Sequence, residues 1–328
     1  MKILSRNKLY NTYYSTINKR NILKNRKIVK KILLGKCKKM MVILGPCSVR
    51  TYKEIKDFFL KVNKIKKKFK NIFFLARIYL EKPRTISGWK GIIYDPLLNE
   101  SFKINLGIKK SLKILKFLNE IKFPVVTEFL NNIIVEYIKK YVTIGTIGAR
   151  NYESQIHREF CSNLKMPVGI KNGTCGDIIG AINSILSISK KHKYIKNNLK
   201  NELEYKISKG NENGFLILRG GINKTNYDKK KISKYLNKLK NVNIKKGIVI
   251  DCSHDNSKKK SKNQIKVLKN VCKQRKKNKK IVGVFLEMDI KKGKQEVKKK
   301  LKYGVSITDD CVSIKKLKKF LKIIKKYS

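Results

Sequence analysis

Gly247-Ile248-Val249-Ile250-Asp251-Cys252-Ser253-His254 sets the reading of the chain. It begins as a short apolar run rich in β-branched residues, the form of a buried strand. It ends in a carboxylate and an imidazole. Seven other runs are built alike: Met41–Leu44, Ile72–Tyr79, Val125–Phe129, Thr143–Ala149, Val168–Ile170, Phe215–Leu218 and Val282–Leu286. Between most of them lie Lys-rich amphipathic stretches such as Tyr52–Lys68 and Ile108–Ile121. Strands alternating with helices imply a parallel sheet. This pattern predicts an α/β fold, a closed (β/α)₈ TIM barrel, with an open doubly wound sheet as the competing arrangement. Two connections, Glu81–Phe102 and Lys190–Gly214, are long enough to hold extra structure.

Ahead of the first strand, Arg26–Gly35 has helical apolar spacing and a terminal glycine. The stretch is basic and free of Asp and Glu up to Lys39, as an organelle transit peptide would be. A folded helix is the preferred reading. The expected organisation is a basic extension over 1–38 and a catalytic barrel over 39–328.

A length of 328 residues suits one such barrel, and 41% apolar residues can fill its core. A net charge of +59 would attract nucleic acid, anionic membrane or anionic metabolites. However, the lysines are spread along nearly every connection, as in Lys66-Lys67-Lys68 and Lys298-Lys299-Lys300. Lys, Ile and Asn all have A/T-rich codons, so a biased genome explains the charge without a polyanion partner. No specific nucleic-acid partner is expected. No apolar run reaches the roughly 20 residues of a membrane span, so no membrane partner is expected either. Seven cysteines, an odd number without a CxxC pair, point away from disulfides and towards a reducing cytoplasm.

The residues at the C-terminal ends of the strands and just past them carry the chemistry. They are Cys47, Arg77 with Lys82 and Arg84, Glu128, Arg150, Lys171, Arg219, His254 and Glu287, and a late loop adds Asp309. Each alone has a bland reading as a core, capping or surface residue. A reactive or charged residue at the same end of every strand is harder to assign to chance. Active sites of such barrels are built at that end. Cys47, His254, Glu287 and Asp309 form a plausible divalent metal set, with zinc, iron, manganese and cobalt all conceivable. Arg77, Lys82, Arg84, Arg150, Lys171 and Arg219 form a cationic set that fits two phosphorylated substrates. Gly220-Gly221 and Asn172-Gly173-Thr174 would let backbone N–H groups approach an anion, although such glycines usually only make turns. Cys252 alternates away from the reactive face and reads as packing. His157 reads as structural and His192 as solvated. Trp89 either packs over the site or anchors its loop.

Several runs carry a family resemblance. They are Gly45-Pro46-Cys47-Ser48, Glu81-Lys82-Pro83-Arg84-Thr85 with Gly88-Trp89-Lys90-Gly91, and Ile147-Gly148-Ala149-Arg150. Others are Glu153-Ser154-Gln155 with His157-Arg158-Glu159, Pro167-Val168-Gly169 with Lys171-Asn172-Gly173-Thr174, Leu218-Arg219-Gly220-Gly221 and Ser306-Ile307-Thr308-Asp309. In order and spacing, from about Lys27 onward, these resemble class I synthases of 3-deoxy-D-arabino-heptulosonate 7-phosphate (DAHP), in the microbial amino-acid-regulated subgroup. The resemblance implies a (β/α)₈ barrel that condenses phosphoenolpyruvate with erythrose 4-phosphate at the head of the shikimate pathway. It implies one divalent metal ion (Mn, Fe, Co or Zn) on Cys47, His254, Glu287 and Asp309. Arg77, Arg150, Lys171 and Arg219 would hold phosphoenolpyruvate, with Lys82 beside the reacting atoms and Glu128 orienting the cations. Arg84 and Thr85 would hold the sugar phosphate. Lys82 is a candidate proton donor, assisted by His254 or a metal-bound water.

The resemblance also implies a homodimer or homotetramer. It weakens at the family's inhibitor site. The segment before Lys27 lacks the family's Pro-containing stretch, and Asn131, Val135, Glu136 and Lys165 stand where other residues are usual. Weakened or lost feedback inhibition is therefore expected. Two alternatives remain open. One is the related synthase of 3-deoxy-D-manno-octulosonate 8-phosphate, whose loop differs at Lys82–Thr85. The other is an inactive basic polyanion-binding protein.

Overall fold

The computed structural model describes residues 2–198, 202–297 and 300–327. Lys298 and Lys299 of the late basic run therefore lie outside the described residues.

Eight parallel strands form one sheet in the order β1-β2-β3-β4-β5-β8-β9-β10, and β1 pairs with β10 to close it. They are β1 (Met40–Gly45), β2 (Ile72–Arg77), β3 (Val125–Glu128), β4 (Val142–Ile147), β5 (Val168–Lys171), β8 (Gly214–Leu218), β9 (Ile248–Asp251) and β10 (Ile281–Asp289). The expected closed barrel is borne out, and the open sheet is excluded. Helices lie between the strands: α2 (Tyr52–Lys66), α3 (Ile104–Glu120), α4 (Asn132–Ile138), α5 (Gln155–Ser162), α6 (Ile179–Ser189), α7 (Lys229–Asn241) and α8 (Gln264–Lys277). A last strand, β11 (Val312–Ser313), extends the sheet beside β10, and α9 (Leu317–Lys326) ends the chain.

The helices start where the local chemistry directs. Thr51 caps α2 by accepting from the Glu54 N–H, and its hydroxyl donates back to Glu54. Asp228 caps α7 in the same position. In the extension, α1 (Lys19–Leu33) is capped by Asn18 and stopped by Gly35 at φ +76°.

Alternation along each strand separates two cores. Val42, Leu44, Phe74, Ala76, Ile248 and Ile250 face the helices. Met41, Ile43, Leu75, Val126, Ile144, Ile217, Val249 and Phe285 fill the barrel. Val29, Ile32 and Leu33 of α1 join that inner core. The Gly247 N–H at the foot of β9 donates to Leu33 O at 2.8 Å. The helix thus plugs the N-terminal end of the barrel.

The long connection after α6 holds a hairpin, β6 (Lys193–Asn197) paired antiparallel with β7 (Leu203–Ile207). The Glu81–Phe102 connection contains no helix or strand. His192 departs from the solvated reading. It is half-buried, with Nε2 2.8 Å from Ser187 O and its backbone N–H donating to Ser208 Oγ. Tyr194 and Lys196 of the hairpin face Val135, Phe160 and Leu164 across a shallow hollow.

Candidate active site

The inward face of the barrel changes character along each strand. Leu75 is followed two positions on by Arg77, Val126 by Glu128, Ile217 by Arg219, Val249 by Asp251 and Phe285 by Glu287. All these charged residues are buried. The strand register sets Gly45 beside Glu287, which brings Cys47 next to that carboxylate.

A cleft of about 530 Å³ opens at this end. Arg77, Lys82, Arg84, Glu128, Arg150, Lys171, Arg219, His254 and Asp309 line it. Cys47 and Glu287 are buried at its floor. Thr85 is exposed and does not line the cleft, because its loop turns outward after Arg84.

Cys47 Sγ, a Glu287 oxygen and an Asp309 oxygen lie within 4.8 Å of one another. One thiol and two carboxylates converging in a buried place are a donor set that suits a divalent transition metal. His254 stands at the edge of this group, with Nε2 3.8 Å from Glu287 Oε1. Its Nδ1 faces Asp251 Oδ2 at 2.8 Å. A carboxylate on one ring nitrogen leaves the other free to bind a metal. Burial and the Glu287 charge push the Cys47 thiol up to about 11, with Lys82 opposing. The thiol must lose its proton to act as a ligand, so loading of the site should improve as pH rises.

The cations are held by paired carboxylates and rings. Arg77 is fully buried and donates to the carbonyls of Pro46 and Cys47 and to Glu287 Oε1 at 2.7 Å. Its guanidinium lies 3.8 Å from the centre of the Tyr79 ring. Lys171 Nζ is 3.6 Å from Asp251 and 5.2 Å from the same ring. Burial disfavours the charge on Lys171, but Tyr79 and Asp251 outweigh it and hold the amine above its ordinary value. Arg219 pairs with Asp255. Lys82 Nζ lies 3.2 Å from Cys47 O and 3.3 Å from Cys47 Sγ. Burial opposes its charge too, yet the thiol, Asp309 and Glu287 keep it raised.

The glycine-rich loops do not offer their amides as expected. Gly220 N–H donates to Asn226, Gly221 N–H to Lys224 O, and Gly173 N–H to Asp177 O. These groups are engaged internally. Gly220 is required for another reason. Its φ is +80°, and a Cβ there would come within 2.6 Å of Asn256 N. The loops after β5, β8 and β9 are locked by buried Asn172, Asn226 and Asn256, whose side chains bond the neighbouring backbone and one another.

His157 bridges Ser154 and Leu130 O, a structural role as expected. Trp89 anchors its loop by donating to Asp95 O at 2.8 Å. Cys252 is packed in the outer core. Sequence reasoning gave no role to Tyr79, Asp251, Asp255, Lys259 or Lys294. Asp251 had a signal, a carboxylate three residues before a strand-end histidine. The lining lysines 259 and 294 had none among so many lysines.

Buried cations facing a thiol–carboxylate group across one barrel mouth are the arrangement of an enzyme site suited to anions. The comparisons make the class particular. The DAHP synthetase I family model matches residues 16–322, and the chain belongs to that family. It is 38% identical over 315 residues to the phenylalanine-inhibited phospho-2-dehydro-3-deoxyheptonate aldolase of Saccharomyces cerevisiae, covering 93% of this chain and 85% of the yeast one. It is 34% identical over 296 residues to the Trp-sensitive enzyme of Escherichia coli, covering 89% and 85%. The solved phospho-2-dehydro-3-deoxyheptonate aldolase of Francisella tularensis superposes with a TM-score of 0.97 at 35% identity, covering 100% of this chain and 97% of that one.

Proposed function

We propose that this chain condenses phosphoenolpyruvate with erythrose 4-phosphate, giving DAHP and inorganic phosphate, the first step towards chorismate and the aromatic amino acids. The carrying observation is a floor of buried cations set against the Cys47, Glu287 and Asp309 group in one cleft. Family membership selects the reaction.

Arg77, Arg150, Lys171 and Arg219 hold the carboxylate and phosphate of phosphoenolpyruvate, and Glu128 orients them. Arg84, with Thr85 once its loop closes, holds the phosphate of the aldose. With both anions fixed, C3 of the enol phosphate lies against the aldehyde carbon, and much of the rate gain is positioning. Cys47, His254, Glu287 and Asp309 would hold a divalent metal, which would supply Lewis acidity towards the aldehyde oxygen. Lys82, kept protonated beside Cys47, is placed to give that oxygen a proton as the C–C bond forms. Water adds at C2, and phosphate leaves by C–O cleavage.

The test follows loss of the enolpyruvyl absorbance with manganese and either erythrose 4-phosphate or arabinose 5-phosphate. Metal-dependent turnover with the four-carbon sugar is expected. Turnover only with the five-carbon sugar would move the assignment to the octulosonate synthase. No turnover with any metal would revive the polyanion-binding reading.

Feedback inhibition is weakened or absent in this reading. Arg6 pairs with Glu136 at 3.2 Å, where it lines a hollow of about 50 Å³ with Val135. Inhibition by micromolar phenylalanine, tyrosine or tryptophan would overturn that reading. A homodimer or homotetramer is supported by the hairpin, where Ile195, Leu203, Tyr205 and Ile207 lie exposed on one face. A monomer by sedimentation at working concentration would refute it. No helix of the described residues is long and apolar enough to cross a membrane. Seven unpaired cysteines support a reducing, cytoplasmic location.

A further inference from the structure

Lys258 and Lys259 are consecutive non-glycine residues in the left-handed region, both at φ +54°. A Cβ in that region crowds its own carbonyl, so such pairs persist only where surrounding structure enforces them. Here it does. Lys258 N–H donates to Asp255 O at 3.0 Å and Lys259 N–H to His254 O at 2.7 Å. Ser257 Oγ donates to the same His254 carbonyl at 3.1 Å. Asn256 underneath is buried and donates to Leu218 O and Asp251 O. The chain contains 19 glycines and uses none at either position. A strained turn that keeps its side chains raises the question of what those side chains do.

The two lysines differ in placement. Lys259 lines the active cleft and Lys258 does not. Lys259 also differs from the floor cations. Arg77 is paired with Glu287, Lys171 with Asp251 and Arg219 with Asp255. Among the described residues Lys259 forms no ion pair, and it is exposed on a wall that Lys294 and Glu296 also line. An exposed cation on the wall of a cleft, held in no ion pair, is a binding group for an anion.

Geometry decides which anion. Phosphoenolpyruvate carries its carboxylate and phosphate next to its reacting carbons, so it belongs on the floor. The aldose must present its aldehyde to the thiol–carboxylate group, also on the floor. Its phosphate sits at the far end of a four-carbon chain and must point outward. We propose that Lys259 is a specificity-determining contact for the phosphate of the aldose, aimed by the strained turn and joining Arg84 at the rim. This rests on the condensation reading above.

Three variants test it: Lys259→Met, Lys259→Gly and Lys258→Gly. Lys259→Met should raise KM for erythrose 4-phosphate about tenfold, the loss of one charge-assisted contact. KM for phosphoenolpyruvate should stay within about twofold. Lys259→Gly should show the same kinetic loss and melt about 1–3 °C higher, because glycine relieves the left-handed strain. Lys258→Gly should gain stability alike and keep wild-type kinetics. An unchanged sugar KM in Lys259→Met would overturn the proposal. So would equal rises in both KM values, which would mean a general charge effect. Kinetic loss in Lys258→Gly would assign the effect to the turn's shape and overturn it too. The wild type separates the two readings. If it does not turn over, the condensation reading fails. Calorimetric titration of the sugar phosphate into chelator-treated full-length proteins then still reads whether Lys259→Met binds it about tenfold more weakly.

Discussion

The two ends of the barrel are built from the same strand faces and do opposite things. At the N-terminal end, Val29, Ile32 and Leu33 of α1 pack on Met41, Ile43 and Val126 with no charge among them. At the C-terminal end, two residues further along the strands, Arg77, Glu128, Lys171, Asp251 and Glu287 are buried. Apolar burial stabilises by roughly 25 cal/mol per Å². Buried ion pairs at best roughly offset their own desolvation. The fold therefore gains stability at one end and holds a costly, preorganised cluster of charges at the other. Changes at the top should cost activity, and changes at the bottom should cost stability.

The largest expected effect is at the top. Cys47→Ala removes one donor from the group at a fully buried position. Turnover should fall by about a thousandfold or more, on the order of 4 kcal/mol in the barrier. The melting temperature without metal should move by only a few degrees. Retention of more than a tenth of the activity would detach Cys47 from the chemistry.

Next comes the bottom. Ile32→Ala empties part of the plug beneath the strands and should cost about 2–4 kcal/mol in unfolding free energy. Per folded molecule, kcat and both KM values should be unchanged. If kcat falls as well, the two ends are coupled and the division between them is wrong.

The same division explains what could be read from the chain alone. All eight barrel strands are legible as short apolar runs, because strands buried on both faces carry almost nothing else. The charged residues that converge in the cleft stand out in the sequence because a charge directly after such a run breaks its pattern, as at Arg77 after Leu75-Ala76 and Glu287 after Phe285-Leu286. Partners within the site were not legible. Tyr79 reads as one more strand aromatic, yet it lies under both Arg77 and Lys171. Lys259 is one lysine in a run of three, and only its backbone angle and its place on the wall distinguish it. The amides of Gly173, Gly220 and Gly221 look free in the sequence, because the internal acceptors Asp177, Asn226 and Lys224 become visible only in three dimensions.

The smallest effect probes how the charged end taxes the fold. Glu81 precedes Lys82, is nearly fully buried, and has only Tyr94 Oη at 3.0 Å and weaker backbone N–H contacts from Leu130 and Asn131 beside it. Burial pushes its carboxyl up to about 7, the hydrogen bonds pull it back, and the Glu128 charge adds to the rise. A carboxyl whose folded value is raised binds its proton more tightly in the folded state than in the unfolded chain. Its contribution to stability is therefore fully present below about pH 4.5 and is lost as pH rises through about 7. Glu81→Gln keeps the shape and the acceptor for Tyr94 but cannot ionise. It should be more stable than the wild type by about 1–2 kcal/mol at pH 8, with little difference at pH 5. Urea unfolding at the two pH values reads this directly. A variant that keeps the wild-type decline between them would place the cost of the charged end elsewhere. The flattened profile would instead show that one unpaired carboxyl beside the substrate loop carries a measurable part of it.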